Sequence, residues 1–495
     1  MPSQDVLVIG GGLAGLSSAV ALAEAGHRVR VVEKRPHLGG RATSYTLPDG
    51  SEVDNCQHVT LGCCTNLADF YRRVGAEGKI GYYDRLYFAD ARGRRSEIRG
   101  SLLPPPLHMG LSFLRFGSLT LADKRGIARA LLTIARAGGR PRGADGISML
   151  EWLQSMKQTP AAIHRFWRVV LVSALDEELA KAGASYGIDV FWHAFLGSRQ
   201  GYRVGVPVVP LAELYEGCRG AIERRGGEVR LRSTIRQIRI ENGKFGGAVL
   251  DGGEQMTADA CIAAVPHQAL IEMLPQGMSA QGGMFESLRR IKTSPITGVH
   301  LWFDRTVMRE PFLALLDHVT QWIFNKTLLY APNGRNAARH GNGANAANPV
   351  LQSRAGQYLQ LVISASYDLI ERSRQEIINM CLAELASVLP ATREARLVKS
   401  AVIKEVHATF SPEPGVDQWR PPQGTGIQGL FVAGDWTRTG WPATMEGAVR
   451  SGYLAAEAVL SARGEARKFL QPDLPFEGLS RFWARRARGA DGRPR

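Results

Sequence analysis

Cysteine is scarce in this sequence, and its spacing excludes both a disulfide scaffold and a zinc site. Six cysteines are scattered over 495 residues, and no two of them form a C-x-x-C pair. The H-E-x-x-H pattern of metallohydrolases does not occur either. We therefore expect no metal site, and we expect free thiols in a reducing, cytoplasmic compartment.

A long apolar run that could cross a bilayer is also missing. The uncharged stretch from Val6 to Ala23 is long enough, but four glycines interrupt it, and no Lys or Arg precedes it as in a signal peptide. We expect this stretch to form a buried strand, a turn and a helix.

Acidic residues are few in relation to basic ones. The chain has 61 Lys and Arg against 46 Asp and Glu, which gives a formal net charge of +15. Such a balance suits nucleic acid, an anionic membrane or neither. Because no RNA-binding or DNA-reading motif accompanies the charge, we expect no nucleic-acid partner. A noncatalytic binding protein is the alternative from a different functional class.

A phosphate-binding motif lies near the start of the chain. Residues 5–9 read as a strand, residues 10–15 spell G-x-G-x-x-G, and residues 16–25 have helical composition. The first glycine permits the turn, the second lets a pyrophosphate approach, and the third lets the helix pack on the strand. The cofactor-binding residues expected here are Gly10, Gly12, Leu13, Ala14 and Gly15.

A carboxylate follows at the end of the second predicted strand. Residues 29–32 are Val-Arg-Val-Val, and Glu33 comes directly after them. Glu33 can accept hydrogen bonds from both ribose hydroxyls of a dinucleotide and would repel a 2′-phosphate. We expect Glu33 and Lys34 to contact the cofactor. Strand, glycine turn, helix and terminal Glu together predict a dinucleotide site.

Two further segments favour FAD over NAD. Residues 38–42, Leu-Gly-Gly-Arg-Ala, resemble an extension in FAD-containing amine oxidases and carotenoid desaturases. Near the other end, residues 429–436 read as a buried strand ending in an acidic residue, and a helix begins soon afterwards. In that superfamily both elements lie beside the flavin. The resemblance implies that FAD is contacted by Gly40, Arg41, Gly434, Asp435, Thr444 and Met445.

The positions of these motifs predict a discontinuous domain. We expect an α/β fold, in which a Rossmann-like FAD-binding domain carries an inserted α+β substrate domain. The FAD-binding domain is expected to comprise residues 1–85, 205–265 and 405–465, and the substrate domain residues 86–204 and 266–404. The strand around Val229 resembles one that lines the adenine side of the site.

Two segments lack the periodicity of a packed element. Residues 326–356 are rich in Asn, Ala, Gly and Arg and are expected to be a mobile loop. Residues 480–495 are expected to be a basic tail that frays. A second match to the dinucleotide motif, Gly341 to Ala346, follows no strand. We therefore expect no built-in nicotinamide site and an external electron donor.

The segment from Gly100 to Ala122 is unusually apolar. Its only formal charge is Arg115, and leucines and phenylalanines surround three consecutive prolines. The segment is too short to span a bilayer, but it could enter one leaflet while basic residues nearby meet lipid phosphates. The alternative is that it covers an internal core. We expect a peripheral protein at the inner face of the membrane.

Several stretches together resemble one family, the bacterial hydroxysqualene dehydroxylases, also called squalene-associated FAD-dependent desaturases. The resemblance runs over about residues 5–460, and its most specific block is residues 433–448, AGDWTRTGWPATMEGA. The other blocks are residues 53–59, 171–175, 194–199 and 205–207. The resemblance implies an apolar isoprenoid substrate, hydroxysqualene, which is reduced to squalene for hopanoid synthesis.

The implied reaction needs a proton donor and a dry pocket, because an allylic C–O bond must ionise. His58 is the first candidate for a catalytic polar group near the flavin. His193 and the acidic run Asp176 to Glu178 are further candidates, although helix surfaces carry such residues routinely. A carotenoid desaturase of the phytoene type and a flavin amine oxidase are the alternative functions.

Overall fold

A five-stranded parallel sheet lies at the centre of the computed structural model, which describes residues 4–278, 283–331 and 356–488. All of its strand pairings are parallel. Its strands, in spatial order, are Glu228–Arg230, Arg28–Val32, Asp5–Ile9, Ala260–Ala263 and Leu430–Val432. Residues from both ends of the chain therefore meet in one sheet, and the expected α/β fold with a Rossmann-like core is confirmed.

Two helices on one face of this sheet bring the chain ends together. Leu13–Glu24 follows the first strand, and Met445–Ser461 follows the last. A Cβ atom on Gly452 would lie 2.1 Å from Ser17 Oγ and 2.3 Å from the carbonyl oxygen of Ala14. Only glycine therefore allows the backbones of the two helices to approach so closely.

The inserted part is built on a larger, mostly antiparallel sheet. Its strands, in spatial order, are Leu397–Phe410, Thr293–Phe303, Gln357–Ser364, Trp322–Asn325, Phe312–Leu315, Arg85–Ala89 and Arg95–Arg99. Every described residue of Gln357–Ser364 is buried, because this central strand is covered on both faces. The domain boundaries that we expect from the sequence remain a prediction.

Three small sheets complete the strand inventory of the described residues. They are Ser44–Thr46 with Glu52–Asp54; Thr60–Leu61, Val204–Pro207 and Ile80–Tyr83; and Ile235–Glu241, Lys244–Leu250 and Gln255–Met256.

Most of the remaining α-helices lie in the inserted part and on the flanks of the central sheet. They are Thr65–Arg73, Gly110–Leu114, Leu121–Ala137, Met149–Ser155, Pro160–Ala162, Arg168–Leu175, Ala184–Val190, Glu216–Glu223, His267–Met273, Met284–Ser287, Lys326–Leu329, Arg374–Val388 and Gly478–Arg488. None of the helices in the described ranges is both long and apolar enough to cross a bilayer.

Two segments differ from the sequence expectation. The loop expected over 326–356 begins as the helix Lys326–Leu329, and residues 332–355, including the second glycine motif, lie outside the described residues. The basic tail expected to fray over 480–495 is helical as far as Arg488, and residues 489–495 lie outside the described residues.

Candidate functional site

The glycine turn lies at one end of a cavity at the carboxyl edge of the central sheet. Gly10 has φ +107°, and a Cβ atom there would lie 2.4 Å from the carbonyl oxygen of Ala264, so this position requires glycine. Gly12 precedes the helix Leu13–Glu24, and no side chain caps that helix. The first N–H groups of the helix are therefore available to an anion in the cavity.

The side chain of Glu33 is held rigidly at the edge of the same cavity. One carboxylate oxygen accepts a 2.6 Å hydrogen bond from the N–H of Gly11, and the other accepts a 2.8 Å hydrogen bond from the N–H of Arg35. Glu33 is buried, whereas its neighbour Lys34 is exposed at the cavity rim. Each carboxylate oxygen has a second lone pair, so Glu33 can still accept hydrogen bonds from ribose hydroxyls.

An ion pair connects the two ends of the chain across the cavity. The Arg41 guanidinium donates to Asp435 Oδ1 at 2.8 Å and to the carbonyl oxygen of Ala408 at 2.6 Å. Burial alone would lower the pKa of Arg41, but the Asp435 carboxylate outweighs burial and raises it. Arg41 therefore carries a fixed positive charge in the cavity wall, where it can attract an anion.

The helix Met445–Ser461, which follows the last strand of the central sheet, begins at the cavity. Thr444 Oγ1 accepts a 3.0 Å hydrogen bond from the N–H of Gly447 and caps the helix, and Met445 is its first residue. Gly434 has φ +153°, and a Cβ atom there would meet Trp436 Nε1 at 2.3 Å. This turn brings Asp435 to the cavity wall.

The structure brings most of the expected cofactor residues together and excludes two from the cavity wall. The lining includes Gly10, Gly12, Leu13, Ala14, Glu33, Lys34, Gly40, Arg41, Gly434, Asp435, Thr444 and Met445. Gly15 instead faces the carbonyl oxygen of Gly10, which a Cβ atom would approach to 1.9 Å. Its role is the close packing of helix on strand.

Val229 is an expected cofactor residue that lies outside the cavity wall. It pairs with Val31 inside the sheet and is buried away from the cavity. The chain reaches the cavity only later, where Ser233, Thr234 and Ile235 line it. The polar Ser-Thr pair between the strands Glu228–Arg230 and Ile235–Glu241 was a signal for this crossing, because it interrupts the strand pattern.

The far end of the cavity is lined by the inserted part of the chain, including a buried carboxyl group. Asp176 follows the helix Arg168–Leu175 and has φ +52°, which is uncommon for a residue other than glycine. Its Oδ1 accepts a 2.7 Å hydrogen bond from the N–H of Ala365, and its Oδ2 lies 2.8 Å from Thr409 Oγ1. Burial, reinforced by the adjacent Glu177, raises the pKa of Asp176 well above its ordinary value. The protonated form of Asp176 is therefore favoured more than in an exposed aspartate, and its carboxyl group faces the cavity.

His58 lines the same cavity as a base, whereas Asp176 lines it as an acid. Its Nδ1 lies 3.0 Å from the carbonyl oxygen of Cys56, which can only accept, so Nδ1 carries the proton and Nε2 is an acceptor. Burial lowers the pKa of His58, which makes the imidazole neutral near pH 7. His193 lies elsewhere, with its ring against Trp441 and Phe476.

A fully buried ion pair supports the strand that precedes His58. The Lys326 ammonium lies 2.7 Å from Asp54 Oδ2 and 2.8 Å from Gln57 Oε1, and Tyr330 donates a second hydrogen bond to Asp54. Burial alone would raise the pKa of Asp54, but Lys326 and the N–H of Leu211 lower it. Sequence patterns did not find this pair because its partners are 272 positions apart.

The cavity therefore fits a dinucleotide with a redox-active ring. The glycine cradle and the free helix N-terminus suit phosphates, Glu33 suits a ribose, and the Met445 end opens towards the inserted part. In the described residues, no group of three or more His, Cys, Asp or Glu side chains is placed to hold a metal ion.

Comparison with known proteins agrees with this geometry. The sequence profile described as flavin containing amine oxidoreductase matches residues 13–460. The 15-cis-phytoene desaturase of Solanum lycopersicum is 27% identical over 480 residues, which cover 92% of this chain and 77% of that protein. The zeta-carotene desaturase of Synechocystis sp. is 26% identical over 476 residues, which cover 92% and 97%.

A solved structure shows the same fold. An oxidoreductase from Methanosarcina mazei superposes with a TM-score of 0.69 at 19% sequence identity, and the match covers 92% of this chain and 100% of that one. Its likeness extends over both the central parallel sheet and the inserted part.

Proposed function

The chain belongs to the flavin containing amine oxidoreductase family and uses FAD, and from this premise we propose that it reduces the allylic alcohol hydroxysqualene to squalene. The apolar isoprenoid class is supported by the relatives of 26–27% identity, whose names are those of phytoene and zeta-carotene desaturases. The hydroxysqualene assignment rests on the resemblance of residues 433–448 and on one feature of the site, the buried carboxyl group of Asp176, whose pKa is raised.

Asp176 carries this proposal because dehydroxylation needs a proton at the leaving oxygen. In the proposed reaction the Asp176 carboxyl gives its proton to the allylic hydroxyl, the C–O bond breaks, and water leaves. Reduced FAD, when bound, supplies the hydride that completes the new C–H bond. The buried walls around Asp176 exclude bulk water, which would otherwise capture the cationic carbon.

His58 has a positioning part in the same proposal. Its unprotonated Nε2 can accept a hydrogen bond from the substrate hydroxyl and so turn the oxygen lone pairs towards Asp176. Because its pKa is lowered, His58 is a poor proton donor near neutral pH. We therefore propose that His58, the residue first expected to be catalytic, orients the substrate.

We propose that the FAD-binding residues are those of the cavity wall described above, residues 233–235 included, and that Val229 lies beside them. Glu33 would hold the ribose, and Arg41 would meet the pyrophosphate together with the helix N-terminus after Gly12. The electrons would come from an external donor. The apolar substrate would reach the cavity from a membrane at the cytoplasmic face.

A carotenoid desaturase of the phytoene type is the second candidate. The named relatives support this function more directly than they support dehydroxylation. Desaturation runs in the opposite direction: a hydride leaves the carbon for oxidised FAD, and a base takes a neighbouring proton. The neutral Nε2 of His58 is suited to that task.

An amine oxidase, the third expectation, finds less support in the cavity. Such an enzyme would need an aromatic cage facing the flavin. Among the described residues that line the cavity, Trp436 is the only Phe, Tyr or Trp side chain. No two such rings are therefore placed there to enclose an amine.

The direction of electron flow separates the two leading candidates. The holoenzyme would be photoreduced under anaerobic conditions and mixed with hydroxysqualene, and flavin absorbance and product mass would be followed. We expect reoxidation with one squalene formed for each flavin. Reduction of the oxidised enzyme by phytoene, with a more conjugated product, would establish the desaturase and reject our proposal.

A further inference from the structure

A basic stretch of the chain lies beside a group of exposed leucines. Between Arg99 and Asp145 the sequence contains one acidic residue, Asp123. That carboxylate is buried and caps the helix Leu121–Ala137 through the N–H and hydroxyl of Thr120. Apart from the buried Lys124, the Lys and Arg residues of this region face solvent with no acidic side chain of the same segment among them.

The outer face of the helix Leu121–Ala137 carries arginines and leucines together. Arg125, Arg129 and Arg136 recur at helical spacing and are exposed, and Leu121 and Leu132 lie on the same face with 68% and 38% exposure. The opposite face packs into the core. This helix therefore buries one face in the core and exposes a second face that carries both apolar and basic side chains.

The helix Gly478–Arg488 extends the same surface. It packs against the end of Leu121–Ala137, where a Cβ atom on Gly138 would lie 2.5 Å from Ala487 Cβ. Ser480 and Ala484 face inward. The exposed residues of this second helix are Leu479, Arg481, Phe482, Arg485 and Arg486.

The apolar segment after Gly100 adjoins both helices. The N–H of Leu479 donates to the carbonyl oxygen of Pro105 at 3.0 Å, and the Lys124 ammonium donates to the carbonyl oxygen of Leu114 at 2.7 Å. The exposed leucines of this segment are Leu102, Leu103, Leu107, Leu111 and Leu114, and Leu102 is 90% exposed. Phe116, in contrast, is buried in the core, so the segment has an outer and an inner side.

We infer that these three elements form one docking surface for an anionic lipid bilayer, with the leucines and Phe482 entering the acyl region and the arginines meeting lipid phosphates. Its six arginines are Arg125, Arg129, Arg136, Arg481, Arg485 and Arg486, and none of them forms an ion pair with a described residue. We call this surface the basic apolar face. It deepens the membrane association in the proposed function and does not depend on the direction of electron flow.

Charge and apolarity together select the bilayer among possible occupants. Nucleic acid would satisfy the arginines but offers no apolar phase for the five exposed leucines of the segment after Gly100. A second copy related by a twofold axis would place like charges opposite one another. An anionic bilayer satisfies both kinds of side chain, because acyl chains lie directly beneath a layer of phosphates.

The test compares vesicles of phosphatidylcholine with vesicles that also contain phosphatidylglycerol, using the holoenzyme in a flotation assay. The basic variant is Arg481→Gln/Arg485→Gln/Arg486→Gln. Its matched control, Arg372→Gln/Arg374→Gln/Arg393→Gln, removes the same charge from exposed positions elsewhere. Each arginine near a charged membrane contributes about fivefold in affinity, so the basic variant is expected to bind anionic vesicles on the order of 100-fold more weakly.

A second variant tests the apolar part. Leu102→Ser/Leu111→Ser/Leu114→Ser is expected to lose vesicle binding while retaining FAD absorbance, because these side chains lie outside the core. Equal binding of the wild type to both vesicle types would overturn the inference. So would a loss in the charge-matched control as large as in the basic variant. Displacement of the protein from vesicles by duplex DNA, or a dimer that dissociates in the basic variant, would assign the face to another partner.

The assay also separates this inference from the proposed reaction. The basic variant should keep full turnover of substrate dissolved in detergent and lose turnover of substrate embedded in anionic vesicles. If the wild type binds anionic vesicles but converts no hydroxysqualene in either form, the proposed function fails and the docking surface stands.

Discussion

The substitution Asp176→Asn addresses the reaction most directly. Asparagine has almost the same shape, its oxygen can still accept the N–H of Ala365, and its amide can donate to Thr409 Oγ1. The change in folding free energy should therefore be about 1 kcal/mol or less. What the variant lacks is a transferable proton. General acid catalysis typically contributes 10²- to 10⁴-fold, so single-turnover reoxidation of the reduced enzyme by hydroxysqualene should slow by about that factor.

The adjacent carboxyl group provides the control. Glu177 is buried and accepts hydrogen bonds from Tyr367 and Ser411, but it does not line the cavity. Glu177→Gln disturbs the same region and removes the charge that reinforces the raised pKa of Asp176, so the two variants are compared at the acid end of the pH range, where Glu177→Gln should stay within about threefold of the wild-type reoxidation rate. If Asp176→Asn reoxidises at the wild-type rate, or if both variants slow equally, Asp176 is not the proton donor.

The raised pKa of Asp176 predicts the direction in which stability and reaction rate change with pH. The folded-state pKa of Asp176 is raised above its ordinary value of 3.8, so the stabilisation linked to its proton is complete below that value and is lost as the pH rises through the raised pKa. The dehydroxylation rate should fall over the same upper range, because the donor ionises. In Asp176→Asn both trends should disappear, as measured by stopped-flow rates and urea unfolding at a series of pH values.

The remaining predictions concern FAD retention and stability. Glu33→Ala should weaken FAD binding by roughly 1–3 kcal/mol, because the ribose hydroxyls lose their acceptor, and equilibrium dialysis would reveal unchanged affinity if Glu33 were only structural. Gly12→Val should fold but release FAD, since the nearest atom to a Cβ there is 3.8 Å away, and a thermal shift separates loss of FAD from unfolding. Lys326→Met should destabilise the fold by about 3–5 kcal/mol, because Asp54 remains charged and buried, and Lys326→Met/Asp54→Asn should recover part of that loss in urea titrations.

The part of the site that depends on local sequence was predictable. Three elements of the site are each specified by the few residues around them: the glycine turn, Glu33 and the strand before Asp435. The structure brings all three to one cavity. Hydrophobic pattern and glycine spacing were sufficient here, because each turn conformation is required by its own residues.

The remainder depends on pairings that no local pattern encodes. Asp176 stands in an acidic run that reads as a helix surface, yet the left-handed turn after Leu175 brings it inside the cavity. Lys326 stands at the start of a segment without periodicity, and its burial follows from Asp54, which is remote in sequence. The role expected for Val229 stays a prediction, because Val229 lies within the sheet and the chain lines the cavity only at residues 233–235.

The ion pair between Arg41 and Asp435 also has a consequence for the order of events during synthesis. Its partners are 394 positions apart, and the helix Met445–Ser461 that closes the cavity comes later still. A ribosome releases the glycine turn early, but the wall opposite it emerges only when most of the chain has been made. FAD should therefore enter a nearly complete polypeptide, and a stop codon before residue 461 should give a colourless product even though the entire phosphate-binding turn is present.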